Sequence, residues 1–186
     1  TVAAFGEIEK GKALLRSTAQ VGDIVAVSHT IGDSGAGLET LLQGIQGYDA
    51  LKKAHRFPEP QIELGRLLVK HHCHSLNDIS DGLASESNEI AKASHVRLVI
   101  DKVKIPLSDG VRQWASEVHK SPWSYAFNGG EDYELVFTMD PTDFKSLQRE
   151  YPAVTEIGTV CQGQGDVLVI DEGTTHLLSP TGWTHF

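Results

Sequence analysis

Apolar residues fall along this chain in two rhythms, one suited to strands and one to helices. Ile24-Val25-Ala26-Val27-Ser28 is a continuous apolar, largely β-branched run, as expected for a buried strand. After it come Gly32-Asp33-Ser34-Gly35-Ala36-Gly37, read as a tight structural turn, and then Leu38, Leu41, Leu42 and Ile45. Those four keep i, i+3, i+4, i+7 spacing and predict a helix with that stripe inward. Gly47 to Pro60 reads as connecting material closed by two prolines, and Gln61 to Lys70 as a helix with Ile62, Leu64, Leu67 and Leu68 inward. A helix over about Leu83 to Ser94 is predicted to bury Leu83, Ile90 and Ala91, followed by a strand at Arg97 to Asp101.

Further on, Ser108-Asp109 offers a polar cap to a helix within Pro106 to Lys120, with Val111, Trp114, Ala115 and Val118 on one stripe. Tyr133, Leu135 and Phe137 alternate with Glu134, Val136 and Thr138, the rhythm of a strand. Asp140-Pro141 is an N-cap with proline at N1, launching a helix that points Phe144 and Leu147 inward. Val154 to Val160 and Asp166 to Asp171, separated by Gly163-Gln164-Gly165, read as a two-stranded hairpin. Thr1 to Phe5 reads as a short strand ahead of a polar loop, and Thr181 to Phe186 as an aromatic ending. Elements mixed at this density predict a layered αβ domain and leave the sheet topology open.

The 186 residues suffice for one large domain or two small ones, and 40% apolar with 22% charged residues is ordinary globular composition. The net charge of −9 and the scattered basic residues argue against a nucleic-acid or anionic-membrane surface. No apolar run approaches the roughly 20 residues of a membrane helix. Cys73 and Cys161 form no CxxC pair and no disulfide framework, which points to a reducing cytoplasm. The chain starts at Thr1, and its only methionine is Met139, so it is expected to be a fragment of a longer polypeptide.

Chemistry concentrates in Asp78-Ile79-Ser80-Asp81-Gly82-Leu83, at a predicted strand-to-helix junction. A helix start explains one carboxylate as a cap. A second at the end of an apolar strand repels the first unless a cation sits between them. Magnesium commonly takes one or two carboxylates together with substrate phosphates, and the spacing permits that arrangement. Asn128-Gly129-Gly130-Glu131-Asp132-Tyr133-Glu134 is a second glycine-plus-carboxylate loop, able to face a ligand or simply to turn the chain. The Gly32 to Gly37 stretch matches neither the P-loop nor the dinucleotide fingerprint. His71-His72-Cys73-His74 has soft-metal residue types, but neighbours on one element diverge and no distant Cys/His pair completes a set.

Together, Asp78 to Leu83 and Gly129 to Leu135 resemble the thiamine-monophosphate kinase family, within the aminoimidazole ribonucleotide synthetase-like ATP-binding superfamily. The resemblance extends to Lys12 to Ser17, Gly32 to Leu38, Pro58-Glu59-Pro60, Pro106-Leu107-Ser108 and the Gly182-Trp183-Thr184-His185-Phe186 ending. It implies an α+β fold, a layered α/β/α domain with a mixed sheet, with residues 1–186 forming the C-terminal domain of a two-domain cytoplasmic enzyme. That enzyme transfers a phosphoryl group from ATP to thiamine monophosphate and is expected to be a homodimer.

Carried over by position, the resemblance implies that Asp78 and Asp81 hold magnesium, Arg16 and Ser80 contact ATP, and Glu131 and Trp183 contact the acceptor. It implies no protein nucleophile. His29 stands where the family pattern has a glycine, and Asn77 where it has an apolar residue. Another kinase or synthetase of the superfamily, or a non-catalytic metal-binding αβ domain using His71 to His74, are the alternatives.

Overall fold

A computed structural model describes Ala3 and residues 5–180. Seven strands form one mixed sheet: β1 (Ile24–Ser28), β2 (Ser75–Asp78), β3 (Val96–Asp101), β4 (Leu135–Met139), β5 (Val154–Gln162), β6 (Asp166–Asp171) and β7 (Thr174–Leu177). Their order is β2-β4-β1-β5-β3-β6-β7, with every neighbouring pair antiparallel except β3 and β6. Among the described residues seven α-helices and a short 3-10 helix (Lys102–Lys104) accompany it: α1 (Asp33–Leu42), α2 (Asp49–Arg56), α3 (Ile62–Lys70), α4 (Leu83–Ser94), α5 (Asp109–Glu117), α6 (Pro122–Asn128) and α7 (Pro141–Glu150).

Alternation along the central strands builds two cores. Val25 and Val27 of β1 and Val136 of β4 face a core completed by Leu83, Ile90 and Ala91 of α4 and Ala126 and Phe127 of α6. Ile24 and Ala26, with Leu135, Phe137 and Met139, face the opposite core under Leu64 and Leu68 of α3 and Phe144 and Leu147 of α7. The expected α/β/α layering is thus present over β1 and β4. At the other end, Leu98, Ile100, Val167 and Val169 are buried, whereas Val99, Leu168 and Ile170 are only half-buried. A third cluster joins α1, α2, α5 and α6 through Ala36, Leu51, Trp114 and Tyr125.

Several expectations are corrected. The glycine stretch is not a turn: only Gly32, with φ 96°, has the left-handed backbone, and the helix begins at Asp33. Nor is its buried face the leucine stripe. Leu38 and Leu42 are exposed, while Ser34, Ala36, Gly37 and Thr40 are buried. The reason is close backbone approach, because a Cβ on Gly37 would lie 2.0 Å from the Leu51 carbonyl oxygen of α2. That helix occupies the stretch read as connecting material. In α3, Leu64 and Leu68 are buried but Ile62 is exposed.

β4 is buried along its whole length, Val136 and Thr138 included, because it lies between β2 and β1 with helices over both faces. Its predicted alternation therefore does not produce a wet face, and Tyr133, with φ 52°, lies outside it. β5 and β6 do not pair with each other. β3 lies between them, and Gly163-Gln164-Gly165 passes over its start, where a Cβ on Gly163 would sit 2.3 Å from that of Arg97. The hairpin is instead β6–β7, turning on Glu172 (φ 48°) and Gly173 (φ 79°), the positive pair of a two-residue turn. The strand read at Thr1 to Phe5 falls largely outside the described residues, and Phe5 is exposed and belongs to no strand.

Candidate active site

β2 ends at Asp78, and α4 starts after Gly82, whose φ of 98° and ψ of 153° suit only glycine. A side chain at Gly82 would also lie 2.6 Å from the Phe127 carbonyl oxygen. Between them Ile79 is fully buried and anchors the connection, so that Asp78 is exposed and Ser80 and Asp81 are half-buried on the other side. Leu15 forms a parallel bridge to Ser75, and the Arg16 carbonyl accepts from the Ser75 and Ser94 hydroxyls at 3.2 and 2.8 Å. These contacts bring Arg16 to the same place, where it ion-pairs with Glu89. Arg16, distant in sequence, thus joins Asp78, Ser80 and Asp81 in lining a single cleft of about 480 Å³ with Asn77, Glu86 and Glu89.

Glu86 is the residue the sequence reading missed. It is 4% exposed, and its Oε1 accepts from the Ser80 hydroxyl and the Asp81 N–H, each at 3.3 Å, while Oε2 takes a hydrogen bond from the Asn77 amide. The signal was legible, since Leu83, Glu86 and Ile90 share one helical stripe and an acid there needs a polar partner. Asn77 supplies one, which accounts for a polar residue at that position. Burial, reinforced by Glu89, Asp81 and Asp78, pushes the Glu86 carboxyl up to about 7.

Folding therefore favours protonated Glu86. The resulting stabilisation is complete below the unfolded value of 4.5 and is lost as pH rises through about 7. We expect Glu86→Gln, whose amide Asn77 can meet by turning its own, to flatten the fall in metal-free stability between about pH 5 and pH 8 and to raise the melting temperature at the alkaline end. Thermal unfolding followed by circular dichroism checks this; an unchanged pH profile would contradict it.

The glycine-acid loop continues the β2–β4 ladder. Ile79 N–H donates to the Glu134 carbonyl (2.7 Å), Tyr133 N–H to that of Ile79 (2.9 Å) and Glu131 N–H to that of Ser80 (2.7 Å). Gly130 permits this, because a Cβ there would lie 2.7 Å from the Ser80 carbonyl oxygen. The exposed Glu131 side chain approaches His55 Nδ1 at 3.6 Å, and that nitrogen is 3.0 Å from the Ser34 hydroxyl. Asp132 accepts from the Gly32 and Ser34 N–H groups at the start of α1, and burial pushes its carboxyl up to about 7. Glu134, raised chiefly by burial, is bonded to the Ser28 hydroxyl and His29. His29 has φ 42°, a conformation natural to glycine, and its ring meets Glu134 at 3.0 Å and the Tyr151 hydroxyl at 3.1 Å.

Trp183 lies outside the described residues. The histidine-rich run disperses: His71 faces Glu150 at 2.8 Å and His74 faces Asp23 at 2.8 Å. Cys73 is buried, which pushes its thiol up to about 12. Among the described residues no three His, Cys, Asp or Glu side chains form a metal cage. Magnesium needs no such cage when phosphates complete its shell. The cleft's accessible oxygen donors, and an acid whose proton affinity its carboxylate neighbours raise, fit a hard cation with a phosphate ligand.

By its mixed sheet and by sequence, the chain belongs to the family described as AIR synthase related protein, C-terminal domain, whose pattern matches residues 20–171. More particularly, it is similar to the thiamine-monophosphate kinase of Bacillus subtilis, with 37% identity across the whole chain and 59% of that relative. With the enzyme of the same name from Aquifex aeolicus it shares 38% identity over 92% of the chain and 54% of the relative. The structure described as AaThiL complexed with AMPPCP and TMP superposes with a TM-score of 0.81, at 37% identity, over 93% of this chain and 54% of that one. The chain thus spans somewhat more than half the length of these relatives. No helix among the described residues is long and apolar enough to cross a membrane.

Proposed function

We propose that this chain is the C-terminal domain of a magnesium-dependent thiamine-monophosphate kinase, carrying ATP-side and acceptor-side residues on one continuous backbone ladder. The observation that carries the reading is the 2.7 Å bond from Glu131 N–H to the Ser80 carbonyl, which fixes the two candidate half-sites to each other. Similarity to kinases of that name across the chain, and to a structure described with AMPPCP and TMP, supports it.

In this reading Asp78 and Asp81 hold magnesium, which when bound neutralises phosphate charge during in-line transfer. Arg16 leaves Glu89 to meet ATP phosphate, and Ser80 donates its hydroxyl to the nucleotide. Glu131 meets the cationic thiazolium, and Trp183 supplies an aromatic face for it. No side chain has to become a nucleophile, because phosphoryl transfer relies on positioning and electrostatics. The remaining magnesium ligands, part of the ATP pocket and a homodimer interface are assigned to an N-terminal domain, and the enzyme to the cytoplasm.

The test compares the 186-residue chain alone with the same chain joined to the N-terminal half of the Bacillus subtilis relative. Thiamine diphosphate formation from thiamine monophosphate and magnesium-ATP is expected from the joined protein and at most in traces from the chain alone. Robust turnover by the chain alone would overturn the division of labour. A folded, ATP-binding fusion unable to phosphorylate thiamine monophosphate would overturn the substrate assignment.

A further inference from the structure

Asp132 has no part in the roles above, yet it occupies the middle of the acceptor-side loop. The residues flanking it both adopt left-handed backbone, Glu131 at φ 64° and Tyr133 at φ 52°, conformations that residues bearing side chains seldom take. Such a path persists only where surrounding bonds determine it. On one side the loop is tied to the cleft by Glu131 N–H and Tyr133 N–H, donating to the Ser80 and Ile79 carbonyls. On the other side Asp132 ties it to α1, with Oδ2 accepting from Gly32 N–H at 2.8 Å and Oδ1 from Ser34 N–H at 3.0 Å.

Those N–H groups belong to the free first turn of α1, and Gly32 provides no side chain to cap them. The carboxyl group of a distant loop fills the cap position with two hydrogen bonds. Ser34 serves both neighbours, because its N–H holds Asp132 while its hydroxyl meets His55, the ring that Glu131 approaches. Gly35 and Gly129 keep the two segments close, a Cβ on Gly35 lying only 3.0 Å from the Gly129 Cα.

We propose that Asp132 is a positioning residue that clamps the loop to α1 and so holds the Glu131 carboxylate where the acceptor binds, without touching the acceptor itself. This rests on the reading of Glu131 as the group that meets the thiazolium. Its effect must then pass through Glu131, and a double-mutant cycle separates that from general damage to the fold.

In the joined protein, Asp132→Asn is expected to raise the KM for thiamine monophosphate about tenfold while kcat and the KM for ATP stay within about twofold. In a Glu131→Ala background it should add nothing further. An additive rise, an unchanged KM, or a fall in kcat alone would overturn the role. A second measurement needs neither activity nor a variant. In the chain alone, the Gly32 and Ser34 amides should exchange with deuterium as slowly as bonded amides, and exchange as fast as that of free helix-start amides would refute the clamp. If the joined protein fails to phosphorylate thiamine monophosphate, the kinase reading falls, and the exchange rates still decide whether Asp132 holds the loop.

Discussion

Asp78→Asn and Asp81→Asn in the joined protein are each expected to lower kcat by at least about 100-fold, the scale on which preorganised charge stabilisation acts in group transfer. Asparagine keeps the size and one oxygen of aspartate but removes the charge. Because Asp78 is exposed and Asp81 half-buried, neither substitution opens a cavity, and the folded state should survive. Added magnesium should partly restore the rate of either single variant if the defect is weakened metal binding. Steady-state rates against magnesium concentration measure both effects. Full activity in both variants would remove the metal assignment, leaving Asp81 as a helix-start residue and Asp78 as a surface carboxylate.

Two helical glycines are expected to answer alanine with opposite signs. Gly65 lies within α3 with nothing within 4 Å of an added Cβ, so Gly65→Ala should stabilise by about 1 kcal/mol through helix propensity. Gly37 lies within α1 and stands to gain the same propensity, but its added carbon would sit 2.0 Å from the Leu51 carbonyl oxygen. Backbone cannot rotate away as a side chain can, and α2 must shift. We expect Gly37→Ala to destabilise by about 3 kcal/mol net, the upper part of the usual overpacking range. At this chain length that lowers the melting temperature by roughly 10 °C. Because α1 carries the N–H groups that Asp132 grips, the same substitution should also loosen the acceptor-side loop. A neutral or stabilising Gly37→Ala would show that α1 and α2 can separate at little cost.

That pair also shows what the chain discloses and what it hides. α4 is legible to the residue because Leu83, Ile90 and Ala91 mark its buried stripe and Gly82 marks its start. β1 and α7 are legible for similar reasons, an uninterrupted apolar run and an Asp-Pro start. α1 is misread because close packing of backbones uses small residues, which hydrophobic periodicity does not register. α2 is overlooked because Leu51 is its one buried residue. The hairpin at Val154 to Asp171 looks local in sequence, yet strand partners in a sheet are chosen by non-local packing.

In the site, spacing and resemblance lead to Arg16, Asp78, Ser80 and Asp81, which the fold gathers in one cleft. The partners of Glu86 and Asp132 emerge only in three dimensions, because each accepts backbone N–H groups from an element other than its own or from the turn before it.

The placing of β3 between β5 and β6 bears on how the chain reaches this state. A three-residue link would let β5 and β6 zip together within microseconds as an isolated hairpin, before the rest of the chain is organised. The native arrangement forbids that shortcut, since residues 96–101, translated some fifty residues earlier, must already occupy the slot. Productive folding has to delay the quick local pairing until the distant strand arrives. Gly163 and Gly165 let the link pass closely over that strand and α4, since added Cβ atoms there would lie 2.3 Å from the Arg97 Cβ and 3.0 Å from the Lys92 Cα.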